Sequence, residues 1–325
     1  MGNCIPVSPR VLESSTFFDL MDIIENFSMS ENYSSVDYTD AKPCHNSYCL
    51  IFQHVAPTFL ATACALAVLS NLVLLVALSK CHHVWSQPHG KALVAQLLVG
   101  SGLFTLLLPI FATSIWYGWK LGMGPCKLVH VLWHWSLFAQ GLLVASGFCT
   151  AWRRWDRPSQ RLAVVVWAVA LLLAMPAGFT SGTVANSEVS CILRKVEILS
   201  PAYLAQLTIY LCFFLLLPVA VAVGRLAVPW LRKGWEAASW VPWIFFSLWV
   251  PYSMGLAVEL LLHVQVLQPT CSTFEHFDFA LGLCKALGVL HCCLGPLLLL
   301  FARLQHYQRR SRSMARAART APEGT

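Results

Sequence analysis

FDFALGLCKALGVLHCCLGPLLLLFARL, Phe277 to Leu304, runs for 28 residues with only Asp278, Lys285 and Arg303 charged. A helix needs about 20 mainly apolar residues to cross the hydrocarbon core of a bilayer. This stretch exceeds that length. Its glycines and Pro296 fit, because membrane helices tolerate both as kinks.

Six further runs of the same kind precede it: Pro57 to Ser79, Ala92 to Trp116, Cys126 to Ala151, Leu162 to Thr180, Ala202 to Val228 and Ala238 to Leu262. The whole chain is 57% hydrophobic and 11% charged, whereas soluble domains are about a quarter charged. The connections are short, so the runs belong to one bundle. The expected fold class is an all-α membrane protein, a seven-transmembrane-helix bundle.

Lys and Arg set the orientation, since short positive loops stay cytoplasmic. One set of segments, containing Lys80, Lys91, Arg153, Arg154, Arg225 and the basic C-terminal stretch, holds 15 of the 22 basic residues; the opposite set holds 6 and Lys285 lies within the seventh run. The N-terminus is therefore placed outside and the C-terminus inside. Residues 1–54 read as an extracellular acidic tail without fixed structure, 55–304 as the bundle and 305–325 as a short basic cytoplasmic tail. No cleaved signal is expected, since no basic start leads into an apolar core. The start MGNCIP lacks the Ser or Thr that myristoylation wants at position six.

Six of the thirteen cysteines fall within apolar runs (Cys64, Cys149, Cys212, Cys284, Cys292, Cys293), where a reduced cysteine is a small packing residue. Cys44, Cys49, Cys126, Cys191 and Cys271 lie on the outer side, where disulfides persist. A Cys126–Cys191 bridge would pin the loop between the fourth and fifth runs over the bundle mouth. Either Cys44 or Cys49 is placed to pair with Cys271.

Residues 1–43 carry a net charge of −5 in a chain whose total is +7. Such a segment suits a basic partner and speeds its approach. Within it, Tyr33 and Tyr38 stand beside Glu31, Asp37 and Asp40, which makes them candidate sulfation sites. Asn26 and Asn32 fit the N-glycosylation rule.

Landmarks recur inside the runs: Asn71 in LSNLVLL, Pro109 in LLLPIF, Trp119 in WKLGMGPC, Trp167 ahead of Pro176, Pro218 in LLLPVAVA, and Phe245, Trp249 and Pro251 in FFSLWVPY. Each alone has a packing explanation. Their order, together with the Cys126/Cys191 pair, resembles the rhodopsin-like G-protein-coupled receptors over about four fifths of the chain. His291-Cys292-Cys293-Leu294-Gly295-Pro296 resembles the HCCLNP segment of chemokine receptors. The segments LVAQLLVGSGLF (93–104) and SLFAQGLLVASG (136–147) resemble the atypical, non-signalling members of that branch.

The departures from the pattern matter as much. The resemblance assigns Ser101 to the position of a sodium-holding aspartate and Leu226 to that of a tyrosine. It assigns Gly295 to an asparagine and Leu299 to a second tyrosine. Thr150-Ala151-Trp152 replaces the aspartate-arginine-tyrosine triplet of signalling receptors. A two-state switch needs groups with different partners in each state, and these residues do not supply them.

The resemblance also implies a pocket of Lys285, Glu259, Trp133, His134 and Tyr252, with Glu259 as counter-ion to Lys285. Chemokine receptors usually have glutamate where Lys285 stands, so an ammonium there opposes the ligand's N-terminal amine. His130 and His134 are one turn apart, but no carboxylate or cysteine in the sequence completes a metal site, and none is expected. Val289 fills the retinal-lysine position of opsins, and no paired carboxylates or activated nucleophile suggest an enzyme. The implied function is chemokine binding without G-protein signalling, with scavenging, transcytosis or buffering of the ligand; the alternative is a conventional chemokine receptor of the same fold that couples to G proteins. The implied location is the plasma membrane, with traffic through early or recycling endosomes. Chemokines and membrane lipids are the expected partners, self-association is compatible with the pattern, and nucleic acid, G proteins and cofactors are not implied.

Overall fold

The computed structural model describes residues 48–80, 88–148, 159–185, 189–193, 200–227, 241–264, 266 and 270–320. Their elements, in chain order, are α1 (Tyr48–Lys80), α2 (Pro88–Tyr117), α3 (Met123–Phe148), α4 (Ser159–Thr180), β1 (Gly182–Ala185), β2 (Val189–Ile192), α5 (Pro201–Leu211), a π-helical turn (Cys212–Leu216), α6 (Leu217–Ala227), α7 (Val241–His263), α8 (Cys271–Val289) and α9 (His291–Thr320). Seven helical stretches are long and apolar enough to cross a membrane, with α5–α6 forming the fifth and α8–α9 the seventh. The chain is a multi-pass membrane protein with a seven-helix bundle.

α3 is the central helix. Two thirds of its apolar window (67%) is buried, against 28–44% in the other spans. Its Trp133, Leu137, Phe138 and Ala139 join Phe104, Phe214 and Trp249 in the main core. α1 instead presents Leu66, Leu69, Leu72, Val73 and Val76 outward. In a soluble protein such a face would be a liability, but here it meets acyl chains.

Two ends differ from the expected boundaries, for local reasons. α1 begins at Tyr48, inside the stretch assigned to the tail, because the Tyr48 ring packs on Phe279 at 4.5 Å and its hydroxyl meets His276 Nδ1 at 3.1 Å. α9 continues to Thr320 through the basic segment. Nothing after Pro296 breaks it, and Gln, Arg, Met and Ala are strong helix formers.

The prolines leave carbonyls that the structure accounts for. Pro109 has no N–H to offer Thr105, and the Cys64 thiol of α1 reaches the Thr105 carbonyl at 3.8 Å instead. At Pro218 the helix widens into the preceding π turn. That relieves the clash a proline ring makes with the carbonyl four residues back.

Candidate functional site

The outer rim is built around one disulfide. Cys126, in the first turn of α3, bonds to Cys191 on β2 with Cα atoms 5.7 Å apart. β1 and β2 form an antiparallel hairpin in which Thr183 faces Cys191. The α2–α3 turn braces it: Trp119 N–H donates to the Val189 carbonyl at 2.6 Å and Trp119 Nε1–H to the Gly122 carbonyl at 2.7 Å. Gly118 and Gly122 have φ of 71° and 82°, a region that glycine enters without the Cβ penalty. The hairpin, which follows directly on the C-terminal end of α4, is thereby fixed to the α2–α3 turn and α3.

Below the rim lies a polar chain inside the bundle. Thr180 Oγ1 donates to Gln206 Oε1 at 2.6 Å, and Gln206 Nε2 donates to His134 Nε2 at 3.3 Å. His134 Nδ1–H donates to the His130 carbonyl at 2.7 Å, which fixes its tautomer. Rings close around this chain: Tyr210 lies 5.6 Å edge-on from His134, and Tyr252 lies 5.9 Å from Tyr210. Glu259 accepts from Tyr203 Oη at 3.3 Å, so a phenol faces the carboxylate assigned as the Lys285 counter-ion. Lys285 Nζ stands 5.9 Å from the Trp133 ring centroid, within cation–π range. Trp133, His134, Tyr252, Glu259 and Lys285 thus fall in the same half of the bundle, across α3, α7 and α8.

Gln206, Thr180 and Tyr203 were missed in the sequence. An uncharged amide inside the fifth apolar run was the available signal, since buried polar groups seek partners. One reading is corrected. His130 does have cysteine neighbours: its ring and the Cys126 and Cys191 sulfurs all lie within 4.8 Å. Because the sulfurs are bonded to each other, neither offers the thiolate that a metal requires.

Glu31, Tyr33, Asp37, Tyr38, Asp40, Asn26, Asn32, Cys44 and the triplet Thr150-Ala151-Trp152 lie outside the described residues. Cys271 opens α8 and Leu226 lies in α6, but their side chains are likewise outside the description.

In the cytoplasmic half the remaining switch positions are apolar or small. Ser101 Oγ donates to the Cys292 carbonyl at 3.3 Å. Asn71 Nδ2 donates to Ala67 of its own helix, and its Oδ1 is buried with no partner. Leu299 packs with Leu93, Leu97 and Leu143. A Cβ added at Gly295 would meet nothing within 4 Å. Ser101, Gly295 and Leu299 line one cavity between α1, α2, α3, α7 and α9.

No family model matches the chain. Curated proteins do, over most of their length. Atypical chemokine receptor 1 of Gorilla gorilla gorilla is 30% identical over 92% of this chain and 90% of its own length. The proteins of the same name from Bos taurus and Homo sapiens are 29% and 28% identical with the same coverage.

Proposed function

The chain belongs to the atypical chemokine receptor 1 family, and from that premise we propose that it binds chemokines at its outer face without activating G proteins. One observation carries the reading. The outer half is braced by the Cys126–Cys191 bridge and holds a connected polar chain, while Ser101, Gly295 and Leu299 leave the cytoplasmic half an apolar cavity. An outer face without a polar inner switch binds but does not relay.

In this reading Glu31, Asp37 and Asp40 draw in a basic ligand, and sulfated Tyr33 and Tyr38 add acceptor oxygens for its Lys and Arg. Glycans at Asn26 and Asn32 and a second bridge from Cys44 to Cys271 shape the rim. Trp133, His134, Tyr252, Glu259 and Lys285 lie beneath the docked ligand. Lys285 opposes a positively charged chemokine N-terminus, so the ligand stays shallow. The basic end of α9, with Arg309, Arg310 and Arg312, rests on anionic lipid. The bound chemokine is buffered at the surface or carried through early or recycling endosomes.

The test is a chemokine-panel binding screen with a G-protein readout in parallel, in cells lacking other receptors. Replacing Asp37 and Asp40 with asparagine, or blocking sulfation, should weaken binding about two- to fivefold per charge at low salt, as partly exposed ion pairs do. Unchanged affinity would remove the tail from the account. Ligand-dependent G-protein activation would overturn the non-signalling reading.

A further inference from the structure

The cavity between α1, α2, α3, α7 and α9 offers about 50 Å³ to the centre of a water-sized sphere, several times the ~10–15 Å³ that one water requires. Its walls are nearly all hydrocarbon: Leu97, Phe245 and Leu299 among them, with Gly295 leaving open space where a side chain would stand. An apolar cavity of this kind stays dry and takes compact apolar molecules.

Ser101 and Gln140 also line it, but each donates to a carbonyl, that of Cys292 at 3.3 Å and that of Ser136 at 3.2 Å; the third polar residue is different. His291 lines the cavity, is 3% exposed, and its Nε2 is buried with no hydrogen-bond partner. The other ring nitrogen decides what Nε2 can do. Nδ1 lies 2.8 Å from the Gly288 carbonyl and 3.3 Å from Trp249 Nε1. The first contact needs a proton on Nδ1 and the second needs a lone pair there. The shorter contact, to an oxygen that can only accept, puts the proton on Nδ1. Nε2 is then a buried lone pair, and an unmet acceptor of this kind costs about 1–3 kcal/mol. Phe104 and Phe245 flank the ring edge-on at 4.6 and 5.3 Å, so the imidazole has little freedom to turn away.

We propose that this cavity is a ligand site for a compact, neutral, mainly apolar molecule carrying a single hydroxyl, the hydroxyl donating to His291 Nε2 while the body fills the space beside Gly295. The ligand class is that of small phenols and short-chain alcohols. The site is separate from the chemokine-facing half and does not depend on the function proposed above.

The experiment uses the full chain in lipid nanodiscs and two fluorinated probes followed by ¹⁹F NMR. 4-Fluorophenol has the donor, and 4-fluoroanisole replaces it with a methyl ether. Saturable line broadening is expected for the phenol and simple partitioning for the ether. Gly295→Leu and, independently, Ser101→Leu fill the cavity and should abolish the saturable component. His291→Phe should weaken phenol binding about fivefold, the worth of one hydrogen bond, and erase the preference over the ether. Equal saturable binding of both probes to the unaltered protein overturns the donor assignment. Absence of saturable phenol binding, or its persistence in a filling variant that still unfolds in a cooperative thermal transition, overturns the site. The comparison of probes on the unaltered protein stands even where a variant fails to fold.

Discussion

Ser101 Oγ donates to the Cys292 carbonyl at 3.3 Å, and that carbonyl is the one Pro296, four residues on, cannot serve because proline has no N–H. The serine therefore holds the kinked seventh span against α2 by meeting an acceptor that hydrocarbon would leave exposed. Ser101→Ala should lower stability by about 1 kcal/mol, the net worth of such a bond. Ser101→Asp supplies the carboxylate that the resemblance places here in signalling receptors, but it sets carboxylate oxygens against a carbonyl in a mainly apolar cavity. It should cost more, about 2 kcal/mol or above, and yield no G-protein activation. Thermal unfolding in detergent with a nucleotide-exchange assay reads both.

Seven residues apart on the seventh span, Gly288 and Gly295 respond oppositely to the same change. A Cβ at Gly288 would lie 2.8–3.0 Å from the Trp249 ring, which is wholly buried. A Cβ at Gly295 would meet nothing within 4 Å. Gly288→Ala should therefore cost about 1–3 kcal/mol through overpacking. Gly295→Ala should be neutral or add about 0.5–1 kcal/mol of helix stability. Melting temperatures of the two variants that move in the same direction would contradict this.

The seven spans were readable because burial in lipid requires long apolar runs and because Lys and Arg fix their direction. Hydropathy marks only the part of a helix inside the hydrocarbon, however. It therefore missed the start of α1 at Tyr48, which is held by aromatic contact with Phe279, and the extension of α9 to Thr320, which is helical by propensity while polar in composition. The disulfide partner of Cys126 was accessible from topology. Gln206 was not, since nothing local says that its amide meets Thr180 from α4 and His134 from α3. Gly295 was legible as a loss. That the loss leaves a lined cavity beside an unpartnered imidazole nitrogen depends on five helices at once.

The Thr180–Gln206–His134 chain should behave as one unit. Thr180→Val leaves Gln206 Oε1 without its 2.6 Å donor, and Gln206→Leu leaves His134 Nε2 without its donor while Thr180 Oγ1 falls back on the Ala177 carbonyl at 3.3 Å. Each single change should cost about 1–3 kcal/mol, because a buried polar atom is stranded. The double variant Thr180→Val/Gln206→Leu removes both ends of that bond together and should cost less than the sum, with a coupling of about 1 kcal/mol. Additive losses would show that the two residues do not act through each other.

In the proposed reading Lys285 decides how deep a ligand can go. Its ammonium stands 5.9 Å from the Trp133 ring centroid and shares its half of the bundle with His134, His130 and Glu259, the last already accepting from Tyr203. A chemokine N-terminal amine descending toward Trp133 meets a like charge; at roughly 10 Å and an effective dielectric of about 20 the repulsion is about 1–2 kcal/mol. Shallow binding follows, and with it two linked outcomes. A chemokine lacking its N-terminal residues should bind the unaltered protein within about twofold of the intact ligand, a difference well under 1 kcal/mol. Lys285→Glu should strengthen binding of the intact ligand by about three- to tenfold while leaving the truncated one unchanged. Equilibrium binding of the ligand pair to both proteins measures this directly. A tenfold loss on truncation with Lys285 in place would mean that the amine is already seated among these residues, and the shallow pose would have to be abandoned.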